Sequence, residues 1–97
     1  MDAVKALEAH ATDLRQLGAK RIGVFGSQAR GDATPESDVD VYVEFVEGQR
    51  TFRNFNALYE FLESLFSMRI ELVTDGALDS RKARLILPTV RYASLDH

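Results

Sequence analysis

Residues 38 to 45 read Asp-Val-Asp-Val-Tyr-Val-Glu-Phe, and this alternation is the strongest constraint in the chain. Successive side chains of a strand leave opposite faces. The segment is therefore expected to be a half-buried strand, valines on one face and polar groups on the other. Such a strand must bury its apolar face, and the flanking sequence supplies helices that can cover it. Val4, Leu7, Ala11, Leu14 and Leu17 recur at helical spacing, and Gly18 is placed to stop that helix. Asn54 to Phe66 carries Phe55, Leu58, Tyr59, Leu62, Leu65 and Phe66 as a broad apolar stripe, which predicts a second helix.

The remaining segments are shorter. Arg21 to Phe25 is a strand-like run ending at Gly26-Ser27, Gln28 to Arg30 is expected to form a helical turn, and Gly31 to Glu36 reads as a loop. Met68 to Val73 alternates again, with Arg69 and Glu71 on one face and Ile70 and Leu72 on the other. After a turn at Asp75-Gly76, Asp79 or Ser80 can cap a last helix that Pro88 ends, leaving a short tail. This order predicts one α/β (α+β) domain over residues 1–97. It would be a small mixed sheet of three to four strands with helices packed on one face.

Composition removes several function classes. The chain has 97 residues, 45% hydrophobic and 28% charged, which is ordinary for a small globular domain. With no cysteine, neither disulfides nor cysteine-held zinc can stabilise it. No apolar run reaches the ~20 residues that span a bilayer. Met1 to Ala11 lacks the apolar stretch of a signal peptide, so a cytoplasmic location is expected. The net charge of −3 gives no general drive toward phosphate backbones, so direct nucleic-acid binding is not expected.

Chemistry concentrates between residues 26 and 40. Asp38 and Asp40 leave the same face of a strand, with Cα atoms roughly 6.5 Å apart. Two carboxylates at that spacing resist joint ionisation unless cations neutralise them. Hard oxygen ligands suit Mg²⁺ or Mn²⁺, and paired metals serve nucleotidyl transfer. Taken alone, the two aspartates could equally form the wet face of an amphipathic strand. Gly26 lets the backbone turn sharply and approach a ligand, and the Ser27 hydroxyl with the N–H groups that follow can receive phosphate. Alone, Gly-Ser is also an ordinary strand-to-helix turn. Arg30 can pair with phosphate or with Asp32 or Glu36. There is no P-loop and no Gly-x-Gly-x-x-Gly fingerprint.

Gly26-Ser27, ten residues, then Asp38-Val39-Asp40, with Ala29-Arg30-Gly31 inside and Ser37 before the first aspartate, resembles the DNA polymerase β-like nucleotidyltransferase superfamily. The resemblance is closest to the minimal nucleotidyltransferases that pair, as antitoxins, with a helical HEPN-domain toxin. It implies the nucleotidyltransferase fold, with Gly26, Ser27, Arg30 and Ser37 at the nucleotide and Asp38 and Asp40 holding Mg²⁺ or Mn²⁺. A third carboxylate on a later strand is also implied. Glu71 stands there, where the family pattern usually shows Asp. The implied reaction moves AMP from ATP to a hydroxyl of the HEPN partner in a hetero-oligomer. Because Glu71 departs from the pattern, the alternative is a weak or inactive module that neutralises its partner by occlusion. A fragment of an aminoglycoside-type enzyme fits less well, since no second substrate-binding domain is visible.

Other residues carry plainer readings. His10 and His97 are read as solvated surface, and Tyr59, Phe61 and Phe66 as core or interface. Arg50, Phe52, Arg53 and Phe55 read as a loop entering an amphipathic helix. Phe61, Leu65, Leu85 and Ile86 exceed what a thin core requires and are compatible with a partner surface.

Overall fold

The computed structural model describes residues 2–96. Its elements, in order, are α1 (Ala3–Ala9), α2 (Ala11–Gln16), β1 (Ala19–Phe25), α3 (Gly26–Arg30), β2 (Val39–Phe45), α4 (Phe52–Phe66), β3 (Ile70–Thr74), α5 (Ser80–Ile86) and β4 (Arg91–Ala93). Short 3₁₀ turns cover Asp75–Ala77 and Leu87–Thr89.

The sheet has four strands in the order β3-β2-β1-β4. β2 runs antiparallel to β1 and parallel to β3, the connection of the parallel pair passing through α4. β4 pairs antiparallel with the free side of β1. The sheet is mixed, as expected. The short tail foreseen after Pro88 is instead an edge strand.

Alternation along β2 does what the sequence predicts. Val39, Val41 and Val43 are fully buried, and Leu7, Leu14, Ile22, Val24, Leu58 and Leu62 join them in one core. Burying a side chain of this size contributes about 1.5–3 kcal/mol, so these residues dominate the cohesion of the sheet with its helices. Thr51 caps α4, its hydroxyl accepting from the Asn54 N–H at 3.1 Å. The helix therefore starts at Phe52, two residues before the expected Asn54. It ends at Ser67, which adopts left-handed φ 52°.

Three expectations change. The first helix is two helices, broken at His10 (φ −114°, ψ 27°). His10 is half-buried rather than solvated, edge-on to Phe61 at 5.5 Å and beside Asp13 at 3.4 Å. His97 lies outside the described residues. Finally, the helices do not all share one face. Residues of α1, α2 and α4 bury the valine face, whereas Lys82 and Ile86 of α5 line a cavity with Phe25, Glu71 and Val73, which point the other way. Phe61 and Leu65 pack against the core, which leaves Leu85 as the exposed member of the suggested partner surface. No helix is long and apolar enough to cross a membrane among the described residues.

Candidate active site

The second face of the sheet is organised in rows across the strands. Phe25, Asp40 and Glu71 are register partners on β1, β2 and β3. The next row is Tyr92, Gly23, Tyr42 and Val73. Asp38 and Arg69 precede the carboxylate row, their Oδ1 and Nε atoms 3.9 Å apart.

Asp40 is the centre of this arrangement, and its surroundings disfavour its charge. Burial pushes its carboxyl up to about 6, a hydrogen bond and charge repulsion from Glu71 add to the shift, and Asp38 raises it further. Arg30 acts in the opposite direction. The Arg30 guanidinium also bonds Asp32, Nε to Oδ2 at 3.2 Å, on an exposed surface where such a pair contributes little. The surface-pair reading of Arg30 is realised, with Asp32 rather than Glu36 as the partner.

Gly26 abuts the same carboxylate. Its φ is +65°, and a Cβ placed there would overlap Oδ2 of Asp40. Any side chain would push the aspartate away and strain the turn, so glycine is required on two independent grounds. Ser27 follows at the start of α3, and no group among the described residues takes its hydroxyl. Ser37 is differently employed. Its Oγ accepts from the Thr34 N–H at 2.9 Å, so the hydroxyl closes the loop before Asp38.

The carboxylates of Asp38, Asp40 and Glu71 are a hard-oxygen donor set suited to a divalent cation. Burial first, and then Glu71 and Asp38, hold the Asp40 carboxyl up, so its charge is the one a cation would relieve. Among the described residues no three such groups close to metal-ligating geometry, and Asp40 and Glu71 interact with each other instead. The donors fit a metal chemically, and their present positions are those of carboxylates held apart or bridged by a proton. Glu71 is not paired with Arg69, the partner its own strand suggests, because Arg69 turns to Asp38.

The neighbouring row is structural. Tyr42 is buried, its hydroxyl donating to Oε2 of Glu44 at 3.1 Å, and burial followed by that bond pushes the phenol further up. It is a neutral donor under working conditions. Arg21 stacks over Tyr92, 3.8 Å from the ring centre.

Sequence reasoning passed over two residues near the carboxylates. Phe25 and Lys82 line a cavity of about 370 Å³ with Glu71, Val73, Ala77, Leu78 and Ile86. Phe25 was within reach, since it shares the strand that ends at Gly26. Lys82 was not, because nothing local tells α5 to fold back over the sheet.

Comparison with known proteins agrees with this fold. Residues 7–92 match the model of the nucleotidyltransferase domain family. The chain is 42% identical to protein adenylyltransferase MntA of Thermococcus cleftensis over 89% of its own length and 87% of that protein. It is 43% identical to a Methanocaldococcus jannaschii protein described as a protein adenylyltransferase, over 61% of this chain and 60% of that one. A solved structure described as a minimal nucleotidyltransferase superposes with a TM-score of 0.76 at 35% identity, covering 94% of this chain and 95% of that chain. The conclusion is direct: this chain belongs to the nucleotidyltransferase family, with its mixed sheet, its Gly-Ser turn and its three carboxylates on one face.

Proposed function

We propose that this nucleotidyltransferase transfers AMP from ATP to a side-chain hydroxyl of a HEPN-type helical toxin and so acts as its antitoxin in the cytoplasm. The observation that carries the reading is the row of Asp40 and Glu71, with Asp38 beside it and Gly26 in contact with Asp40. The wording attached to the relatives, protein adenylyltransferase, supports a protein as acceptor. The HEPN partner and the antitoxin role rest on the resemblance of the Gly26-Ser27 to Asp40 motif.

In this reading Gly26 gives the triphosphate room against the backbone, and the unengaged Ser27 hydroxyl donates to a phosphate oxygen. Arg30 adds positive charge that the chain as a whole lacks. Asp38, Asp40 and Glu71 would hold Mg²⁺ or Mn²⁺, which when bound supplies charge neutralisation at the α-phosphate and the departing pyrophosphate. The acceptor oxygen forms a bond to the α-phosphorus while the bond to the β-phosphate oxygen breaks. The hydroxyl proton passes to a carboxylate oxygen of the row.

The test is incubation of the chain with the HEPN-type partner, labelled ATP and Mg²⁺, followed by intact mass of both proteins. A gain of one or more AMP units on the partner, absent with Asp38→Asn, is the expected result. A stable complex with no mass change would instead favour neutralisation by occlusion.

A further inference from the structure

We infer that the partner docks an acidic surface on α5 and inserts its acceptor group into the cavity between α5 and Glu71. The inference rests on the proposed transfer reading for the role of the inserted group, and on charge and topology for the surface itself.

The cavity between α5 and the sheet gives the direction of approach. In nucleotidyl transfer the attacking and leaving oxygens lie roughly in line through the phosphorus. The Gly26-Ser27 turn, which would hold the leaving pyrophosphate, flanks Asp40 on the β1 side. Glu71 flanks it on the β3 side. An acceptor carried in past α5 reaches the carboxylate row through the cavity of about 370 Å³ that lies over it, with Phe25, Glu71 and Val73 on the sheet side and Ala77, Leu78, Lys82 and Ile86 on the other.

Charge fixes the chemistry of the visitor. The chain carries a net −3, yet α5 reads Ser-Arg-Lys-Ala-Arg-Leu-Ile and holds three cations with no acid. Among the described residues none of the three side chains is engaged in an ion pair. Arg81, Arg84 and Leu85 line a second concavity of about 500 Å³, with Leu85 69% exposed. An apolar contact between two unpaired guanidiniums suits a carboxylate-bearing protein surface, since Arg and exposed aliphatic anchors are favoured in interfaces while a free acidic ligand would leave Leu85 wet. Phe52 is also exposed, but it follows the far end of β2, roughly 20 Å of strand away from Asp38.

The experiment measures affinity of the purified HEPN-type protein for four full-length chains, the unaltered one, Arg81→Glu/Arg84→Glu, Ala77→Trp and the control Arg53→Glu on α4. Binding of a fluorescent ATP analogue and circular dichroism are recorded for each. Charge reversal on α5 should weaken the partner about tenfold or more at low salt, with the difference shrinking as salt is added. Ala77→Trp, which fills the cavity from an exposed position, should weaken it comparably. Arg53→Glu should change nothing, and nucleotide binding should be the same in the unaltered chain, Arg81→Glu/Arg84→Glu and Arg53→Glu. Undiminished affinity after charge reversal, or no affinity in the unaltered chain, overturns the proposal. Affinity that depends on α5 with no AMP gained by the partner supports the docking surface and removes the transfer reading alone.

Discussion

Asp40 on β2 and Glu71 on β3 are register partners in the parallel pair of the sheet, and their carboxyls interact across the strands. Two acids held this way cost the fold free energy unless a proton or a cation lies between them. The site therefore links stability to its own ligands.

That linkage has a sign. Asp40 has its carboxyl raised in the folded protein from 3.8 to about 6, chiefly by burial and then by Glu71. A raised acid stabilises the fold most below its unfolded value, and the contribution is lost as pH rises through the folded one. The metal-free chain should thus melt at lower temperature at pH 7.5 than at pH 5, as far as this group decides. Mg²⁺ should recover part of the loss at pH 7.5. Asp40→Asn should flatten both responses, which thermal unfolding with and without Mg²⁺ will read.

Gly26→Ala should be severe despite adding one methyl. The left-handed φ costs an alanine about 1–2 kcal/mol, and its Cβ would overlap Oδ2 of Asp40. We expect a loss of at least that size in urea unfolding, with nucleotide binding lost as Asp40 is displaced.

Glu71 can be tested by length and by charge separately. Glu71→Gln keeps the length and removes the charge, and transfer should fall by about 100-fold or more, the scale on which active-site electrostatics act. Glu71→Asp keeps the charge and withdraws it by one methylene. A displacement of ~1 Å can cost ~100-fold, so a loss of about 10–100-fold is expected, smaller than for Gln. Initial rates across a Mg²⁺ titration distinguish the two, and chelation should abolish transfer in every variant.

Leu62 is fully buried on α4 against the valine face. Leu62→Ala should cost about 2–5 kcal/mol. Nucleotide affinity should be unchanged below the melting temperature, because this residue packs on the face opposite the carboxylates.

Ser67 ends α4 at φ 52°. A glycine escapes the left-handed penalty but gains freedom in the unfolded chain. Ser67→Gly is expected to stabilise by up to about 1 kcal/mol in urea unfolding.

The residues that were legible in sequence are those whose message is local. Val39, Val41 and Val43 declare a strand by period alone, and the stripe from Leu58 to Phe66 declares α4. The spacing from Gly26 to Asp40 is likewise contained in one hairpin-like stretch. What was hidden depends on distant partners. The motif resemblance already set Glu71 with the aspartates, but that it stands directly opposite Asp40 follows from the parallel register of β2 and β3, which no spacing encodes. The break at His10 has no glycine or proline to announce it. Arg91–Ala93 is too short to show alternation, and it is a strand only because β1 offers it an edge.

That edge has a consequence for how the protein is made. β1 becomes an interior strand through the pairs Ile22–Ala93, Gly23–Tyr92 and Val24–Arg91. The ribosome delivers those partners after every other strand of the sheet. Until then the nascent chain carries an unprotected edge on the very strand that leads into Gly26-Ser27, and such edges recruit other chains. Messages truncated before residue 91 would therefore yield a polypeptide prone to self-association, and delivery of residues 91–93 becomes the step that closes the sheet.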